Sequence, residues 1–367
     1  MTTDDRIPVT LLTGFLGSGK TTLLNAWLRS PELANAAVVV NEFGEIGIDH
    51  ALIASSSENT IELSTGCLCC TVRGDLVNTL RELIVSREKG EVRAFDRLII
   101  ETTGLADPAP VIQALMTFPV SRRFRLRQVV TTVDAANGQR TLQEHPESVK
   151  QAAVADEIVI TKTDIDSGAA MRLVTELRRL NPGARLHMSS LDKMPAPSDL
   201  ATIDIYDPAT KSPDVARWLQ AELHAQDGGH AHDHHHGHDH DHDHGHHHGD
   251  APAHDVNRHS AEIATFALEF HEPLQWEHVA NWLDALVLGH GEDLLRVKGI
   301  LDVAGRERPV VVQAVQSLFH PPFELPAWPE GARKSRIVFI TRNISRAFVL
   351  EVLATIRQRA PSAALAS

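Results

Sequence analysis

Apolar runs and amphipathic stretches alternate along the chain from Ile7 to Met188. The runs are rich in Val, Ile and Leu, which is typical of strands buried on both faces of a parallel sheet. We therefore predict an α/β fold with a mostly parallel sheet and helices on both of its faces. The predicted strands are Ile7–Thr13, Ala36–Asn41, Arg97–Glu101, Gln128–Val133, Glu157–Thr161 and Arg185–Met188. The predicted helices are Thr21–Arg29, Gly74–Lys89, Ala109–Met116 and Ala170–Leu180.

The pattern changes abruptly at Asp227. From there to Asp255 the chain consists almost entirely of His, Asp, Gly and Ala, a composition that cannot build a core and predicts a disordered linker. A separate pattern of strands and helices follows, which predicts a small α+β domain. Its predicted elements are Ile263–Phe270, Trp276–Leu288, Leu294–Val303, Pro309–Leu318, Arg336–Thr341 and Arg346–Gln358. The predicted division is an α/β domain at residues 1–226, the linker at 227–258 and the α+β domain at 259–367.

The net charge and the composition argue against several classes of function. The chain has 367 residues, a formal net charge of -13 and a pI near 5.9, whereas a general nucleic-acid binder usually has a basic face. We find no apolar run of the roughly 18 residues that would suggest a membrane span. The first residues lack the basic and apolar regions of a secretory signal. A cytoplasmic protein that binds neither nucleic acid nor membrane is expected.

The most informative motif lies between the first predicted strand and the first predicted helix. Residues 14–21 read Gly-Phe-Leu-Gly-Ser-Gly-Lys-Thr, which fits the phosphate-binding loop of nucleoside triphosphatases. In this loop Lys20 would reach the terminal phosphates and the Thr21 hydroxyl would bind Mg²⁺. Both residues are therefore assigned catalytic roles. The predicted phosphate-contacting residues are Gly14, Gly17, Ser18, Gly19, Lys20, Thr21 and Thr22.

Two further segments extend the predicted nucleotide site. Residues 98–104 form an apolar strand that ends in an acid and a glycine, so Glu101 is predicted to help bind Mg²⁺ and the Gly104 N–H to contact the terminal phosphate. Residues 41–49 lie where a nucleotide-sensing switch is expected. We assign catalytic roles there to Glu42 and Asp49, although a solvated acidic loop is the alternative interpretation.

The segment Thr161-Lys162-Thr163-Asp164 follows an apolar strand and has the form of the guanine-reading motif Asn-Lys-x-Asp, with Thr in the first place. A carboxylate at Asp164 can accept from the two adjacent donors of guanine, which adenine lacks. Lys162 would pack its stem over the nucleotide. The alternative interpretation is a strand-to-helix turn capped by an Asp. Thr161, Lys162 and Asp164 are therefore predicted to bind the base.

All three cysteines of the chain lie together, as Cys67, Cys69 and Cys70. Such a crowded, odd set is a poor disulfide framework and a better metal site. Three thiolates provide most of a tetrahedral zinc site but leave its fourth ligand open, and an open position suits transfer of the ion. Candidates for the fourth ligand are Glu42, Glu45, Asp49 or a histidine. Buried free cysteines are the alternative, and the histidine-rich linker is either a metal buffer or a spacer.

Together these motifs resemble the CobW-type family of GTP-binding metallochaperones, which includes the zinc-regulated GTPase metalloprotein activators. The resemblance is carried by five segments, at residues 14–22, 41–45, 67–70, 101–108 and 161–164. It implies a P-loop GTPase that uses GTP, Mg²⁺ and Zn²⁺, loads zinc on its cysteines and delivers it to a client metalloprotein under nucleotide control. It also allows a nucleotide-dependent dimer. The open alternatives are an insertase for cobalt, nickel or iron, and a metal storage or sensing protein with little turnover.

Overall fold

A computed structural model describes residues 5–41, 60–62, 72–200, 263–328 and 333–359. Its first sheet has seven strands, all parallel, in the order β3-β2-β4-β1-β5-β6-β7. These strands are β1 Ile7–Gly14, β2 Ala36–Asn41, β3 Thr60–Glu62, β4 Arg97–Thr102, β5 Phe124–Asp134, β6 Glu157–Thr161 and β7 Arg185–Met188. The helices of this part are α1 Lys20–Leu28, α2 Val72–Lys89, α3 Ala109–Met116, α4 Gly138–Glu144, α5 Pro146–Val154, α6 Ser167–Leu180 and α7 Pro197–Leu200. The predicted fold class is confirmed.

Both faces of this sheet are covered by helices, as the apolar runs of its strands indicated. Val39 and Ile100 pack with α2 and α3 on one face, whereas Val38 and Ile99 pack with α1 on the other. Successive side chains of a strand point to opposite faces, so an unbroken apolar run is buried on both. The sheet therefore has only its ends available for a ligand, and the carboxyl ends of β1, β4, β5 and β6 lie side by side.

Two helices between β5 and β6 were missed in the sequence. Helix α4 begins at Gly138 and buries little apolar surface, with Leu142 as its main buried apolar side chain. Helix α5 begins with Pro146 at its first position and buries mostly small side chains. Proline is compatible with the first turn of a helix because that turn needs no N–H donor there. Both segments are short, at seven and nine residues, and bury few large apolar side chains.

The second sheet is antiparallel, in the order β11-β10-β9-β13-β8, with β12 paired to β10. Its strands are β8 Ile263–Phe270, β9 Leu294–Leu301, β10 Val310–Val315, β11 Leu318–Phe319, β12 Phe323–Glu324 and β13 Ser335–Arg342, and its helices are α8 Trp276–His290 and α9 Arg346–Arg359. The helices pack on one face around the buried Trp282. The predicted strand Pro309–Leu318 is wrong at its end, because Gln316 adopts a left-handed φ of 49° and turns the chain.

A buried cluster of charges joins the two parts of the chain. The Asp156 carboxylate, just before β6, pairs with the guanidinium of Arg296 and, at 3.3 Å, with Lys298, both from β9. It also accepts the Val129 N–H at 2.9 Å, and Arg296 donates to the Val154 carbonyl as well. Asp156 and Arg296 are each about 4% exposed or less. Both charges are buried away from water, so each is stabilised by the other instead of by solvent.

We expect Asp156→Ala to lower the free energy of unfolding by about 3–5 kcal/mol, because it leaves Arg296 buried without its carboxylate. Burial alone would raise the pKa of Asp156, but Arg296 and Lys298 hold it below its ordinary value. The carboxylate's contribution is therefore present at neutral pH and is lost as pH falls from the unfolded pKa of about 3.9 through the lower folded pKa. Urea unfolding at pH 7 measures the effect.

The exposed pair of Arg306 and Glu324 provides the control for this experiment. Its side chains are 45% and 39% exposed, so Glu324→Ala should cost no more than about 1 kcal/mol. Equal losses for the two variants would show that the Asp156 cluster does not hold the two parts together.

In the described part of the chain, no helix combines the length and the apolarity that crossing a membrane requires.

Candidate functional site

The loop between β1 and α1 has the geometry of a phosphate cradle. Gly14 has a φ of 144°, and a Cβ there would lie 2.4 Å from the Thr132 hydroxyl oxygen, so the loop leaves β1 in a path open only to glycine. Gly19, with a φ of 93°, is the N-cap of α1. Because glycine has no side chain to cap the first N–H groups of α1, these donors stay available for phosphate oxygens.

Lys20 and Thr21 begin α1 inside this loop. The Lys20 side chain is 8% exposed, and its Nζ donates to the Phe15 carbonyl at 3.1 Å. The ammonium therefore lies across the loop, where terminal phosphates would sit. The Thr21 hydroxyl donates to Glu101 Oε1 at 2.8 Å. Glu101 is buried at the carboxyl end of β4, so the Mg²⁺ ligands predicted from separate parts of the sequence lie within hydrogen-bond reach.

This pair fits Mg²⁺ chemically. Mg²⁺ prefers oxygen ligands and is usually bound by one or two protein oxygens together with substrate phosphates and water. A Thr hydroxyl and a carboxylate at the foot of a phosphate loop form such a set. Thr21 and Glu101 would hold the ion, which would neutralise charge on the phosphates. A hydrogen bond of 2.8 Å between the Thr102 and Thr13 hydroxyls fixes β4 against β1 beside this pair.

The segment Thr161–Asp164 borders a pocket of about 270 Å³ beside the phosphate loop. Thr161 donates its hydroxyl hydrogen to the Ser18 carbonyl at 2.7 Å, so this side chain ties β6 to the loop. Asp164 is exposed at the pocket rim, where its carboxylate can accept hydrogen bonds from a base. Gly19, Thr22, Lys162, Ser189 and Leu191 also line the pocket. The pocket is next to the phosphate cradle, as a nucleotide requires.

Lys162 adopts a left-handed backbone, with a φ of 57°, and its Nζ donates to Asp134 at 2.6 Å. Asp134 ends β5 and also accepts from Asn137 Nδ2 at 3.2 Å and from the Ala136 N–H at 2.8 Å. Burial would raise the pKa of Asp134, but these hydrogen bonds, first that of Lys162, lower it below its ordinary value. Asp134 thus stays ionised and holds the stem of Lys162 between the two strands.

The loop that follows Glu101 contacts both the phosphate loop and the second sheet. A Cβ at Gly104 would lie 2.6 Å from the Leu16 nitrogen, so only glycine allows this approach. The Gln151 side chain donates to the carbonyls of Gly104 and Ala106 at 3.1 and 3.0 Å. At the far end of the loop, Asp107 accepts from Lys150 Nζ at 2.7 Å.

Asp107 is also the point at which the C-terminal domain meets this loop. Gln316 Nε2 donates to both carboxylate oxygens of Asp107, at 3.1 and 3.3 Å. Gln316 is 8% exposed and sits in the left-handed turn that separates β10 from β11. Asp107 is only three positions after Gly104. This short stretch of chain therefore connects the phosphate loop, which Gly104 contacts, to the second sheet, which Asp107 contacts.

The structure brings the described part of the predicted nucleotide site to one edge of the first sheet. The residues placed there are Gly14, Gly17, Ser18, Gly19, Lys20, Thr21, Thr22, Glu101, Gly104, Thr161, Lys162 and Asp164. The predicted residues that lie outside the described part are Glu42, Glu45, Asp49, Cys67, Cys69, Cys70 and the linker. Sequence reasoning missed Asp134, Gln151 and Gln316. Of these, Asp134 carried a signal, since it is an acid at the carboxyl end of a buried strand.

The parallel sheet, the glycine-rich loop and the pocket beside it define a P-loop nucleotide-binding protein. The family model described as the CobW/HypB/UreG nucleotide-binding domain matches residues 8–188, and that of the cobalamin synthesis protein cobW C-terminal domain matches residues 263–357. The chain belongs to the CobW/HypB/UreG family. The resemblance inferred from the sequence is thereby confirmed.

Two relatives, and a solved structure of one of them, match nearly the whole chain. The zinc chaperone YjiA of Escherichia coli is 30% identical over 335 residues, which is 91% of this chain and 93% of that protein. The zinc chaperone CobW of Pseudomonas aeruginosa is 32% identical over 389 aligned positions, which cover 97% of this chain and 92% of that protein. Among solved structures, the Zn(II)-bound YjiA GTPase from E. coli is 25% identical, with a TM-score of 0.66 and coverage of 96% and 99%.

Proposed function

We propose that this protein is a GTP-hydrolysing zinc chaperone that delivers zinc to a client metalloprotein. The protein is a GTPase metallochaperone of the CobW family, in line with its relatives named zinc chaperones and with the zinc-bound GTPase of similar fold. The finer proposal concerns how it acts. Zinc is held by Cys67, Cys69 and Cys70, and the nucleotide state controls its release.

The proposed GTP hydrolysis is supported chiefly by the contact between Thr21 and Glu101 at the foot of the phosphate loop. A hydroxyl and a carboxylate 2.8 Å apart, beside the buried ammonium of Lys20, provide the Mg²⁺ ligands and the phosphate contact that phosphoryl transfer requires. Mg²⁺ held by Thr21 and Glu101 would neutralise negative charge on the phosphates. Asp164 at the rim of the adjoining pocket supports guanine over adenine, because its carboxylate can accept from two neighbouring donors of guanine.

The proposed zinc site is argued from the sequence and from ligand chemistry, because Cys67, Cys69 and Cys70 lie outside the described residues. Thiolates are suitable zinc ligands, and zinc sites of this kind are tetrahedral. The segment lies between β3 and α2, on the chain that follows the predicted switch. A site with three protein ligands leaves a position through which a client's ligand can enter, which supports transfer rather than permanent binding.

A physical route for nucleotide control runs through the loop after β4. Gly104 approaches the phosphate loop so closely that a γ-phosphate contact at its N–H would position it. Gln151 holds Gly104 and Ala106, so movement at one end of the loop is carried to Asp107. Asp107 in turn accepts from Gln316 of the C-terminal domain. We infer that GTP and GDP bias this loop differently and that the C-terminal domain responds.

We expect Gln316→Ala to disconnect the C-terminal domain from the nucleotide. In the unaltered protein, amide hydrogen exchange in the hairpin of β10 and β11 should differ between the GTP-analogue and GDP states, because Asp107 is held differently. In Gln316→Ala the difference should disappear while GTP turnover stays within about threefold. Arg308→Ala, an exposed change at the other end of β10, is the control. A hairpin that exchanges equally in both states of the unaltered protein would contradict the route.

Turnover and metal transfer together test the proposed function. Initial rates of GTP and ATP hydrolysis with Mg²⁺ should favour GTP, and one equivalent of zinc should change the GTP rate if the two sites are coupled. Zinc loaded on the protein should pass to a fluorescent zinc-binding dye at a rate that differs between the GTP-analogue and GDP forms. Negligible, metal-independent hydrolysis would instead indicate a storage protein.

A further inference from the structure

A large cleft lies between the first part of the chain and the second sheet, away from the nucleotide pocket. Its volume is about 810 Å³, a size typical of a binding site. Helix α6 forms one wall, and strand β8 with the segment before α9 forms the other. None of the described residues assigned to the nucleotide site lines it. The cleft is therefore separate from the described part of that site.

Strand β8 presents its edge to this cleft. Among the residues that the structure describes, it is the last strand of the second sheet and pairs with β13 on one side. Ile263, Ala264, Thr265 and Phe266 all line the cleft, although successive side chains of a strand point to opposite faces. Four consecutive residues in one cleft point to a cleft that runs along the strand's edge, where the Thr265 hydroxyl also donates to the Leu180 carbonyl of α6 at 2.8 Å. An edge strand presents a row of backbone N–H and C=O groups that another strand can join.

The second observation is the charge of the cleft walls. Arg179 of α6 and Arg346 at the start of α9 are exposed and line the cleft, and neither forms an ion pair with a carboxylate of the described residues. Glu176 is the one acidic residue among the described lining residues, so the two arginines leave that lining with a net positive charge. The walls are therefore positive, in a protein whose formal net charge is -13. Leu142, Val149 and Leu180 provide apolar surface in the same cleft.

We propose that this cleft binds an extended, acidic segment of a partner protein, which adds a strand to the edge of β8. Backbone hydrogen bonds to β8 would provide the affinity, while alternate side chains of the segment would fill the apolar surface. Its carboxylates would pair with the guanidinium groups of Arg179 and Arg346, an arrangement that favours acidic over basic segments. The paired stretch would span roughly four to six residues, given the rise of a strand.

This inference stands apart from the proposed function because it needs neither nucleotide nor zinc. The overall negative charge of the protein repels acidic peptides from the rest of its surface. An acidic peptide that binds therefore reports on a local positive site. A second copy of the chain could use the same edge, and the experiment below includes that outcome.

The test uses a displayed library of random nine-residue peptides, panned on the full chain with EDTA present so that metal-mediated binding is removed. The proposal expects enriched peptides in which acidic and apolar residues alternate. A synthetic peptide of the enriched sequence should bind at least about tenfold more weakly to the double variant R179E/R346E, which corresponds to 1.4 kcal/mol or more. The matched control R178E/R122E makes the same charge change at exposed arginines outside the cleft and should bind normally.

Hydrogen exchange identifies the mode of binding. Peptide binding should slow exchange of the outward-facing amides of β8, because each would donate to the added strand. Enrichment of non-acidic peptides, equal binding to R179E/R346E, or unchanged exchange in β8 would each overturn the proposal. So would a concentration-dependent dimer of the unaltered chain that R179E/R346E abolishes in sedimentation velocity, since the occupant would then be a second copy.

Discussion

Replacing Lys20 with Ala should lower GTP turnover by at least about 100-fold, the usual cost of losing one preorganised charge that stabilises a transition state. The structure gives the reason. The Lys20 side chain is 8% exposed and its Nζ donates to the Phe15 carbonyl, so the ammonium is held across the phosphate loop. Phosphoryl transfer depends almost wholly on such positioning and charge stabilisation. Single-turnover hydrolysis of GTP measures the loss.

Two controls make this result specific. Lys89→Ala removes an exposed lysine that pairs with Glu91 at the end of α2, far along the chain from the loop, and should leave turnover unchanged. Zinc affinity of Lys20→Ala in the absence of nucleotide should match that of the unaltered protein, since the proposal places the ion on Cys67, Cys69 and Cys70 rather than on the phosphate loop. Turnover within about threefold of normal in Lys20→Ala would contradict the assignment of this loop as the catalytic site.

Replacing Cys67, Cys69 and Cys70 together with Ala should weaken zinc binding by at least about a thousandfold, because thiolate ligands provide most of the free energy of such a site. Competition with a chelator of known affinity measures the change. Basal GTP turnover should remain, since Lys20, Thr21 and Glu101 are untouched. Any stimulation or inhibition of turnover by zinc should disappear.

Deletion of residues 230–248 is the contrasting variant. It removes much of the histidine-rich tract and should lower the number of zinc ions bound while leaving the tightest site intact, because flexible imidazoles bind ions individually and more weakly. If the cysteine variant keeps full affinity and the deletion loses it, the delivery site lies in the tract and the cysteine assignment is wrong.

The strands could be predicted closely because their signal is local. Ala36–Asn41, Glu157–Thr161 and Arg185–Met188 are continuous apolar or β-prone runs, and the structure gives them the same bounds. Helices α4 and α5 are short and bury few large apolar side chains, so their formation depends on tertiary packing that one sequence does not display. The end of β10 was misplaced for a related reason, since nothing local in Gln316 marks a left-handed turn.

The candidate site likewise has residues that the sequence predicts and contacts that it does not. Lys20, Thr21 and Glu101 were found because a motif names their residue types and the ends of parallel strands bring them together. Asp107 and Gln316 are 209 positions apart, and their contact depends on how the two parts of the chain pack. Thr161 is predicted to bind the base, and in the structure its hydroxyl donates to the Ser18 carbonyl. A motif gives the residue, whereas its partner emerges only from the folded geometry.

The most direct test compares zinc affinity in two states of the same protein, one saturated with a non-hydrolysable GTP analogue and one with GDP, each with Mg²⁺ present. If the nucleotide controls delivery, the two dissociation constants for zinc should differ by about 5–150-fold, the usual range for coupled sites. Identical constants in the two states would contradict nucleotide-controlled release, even if both GTP and zinc bind tightly.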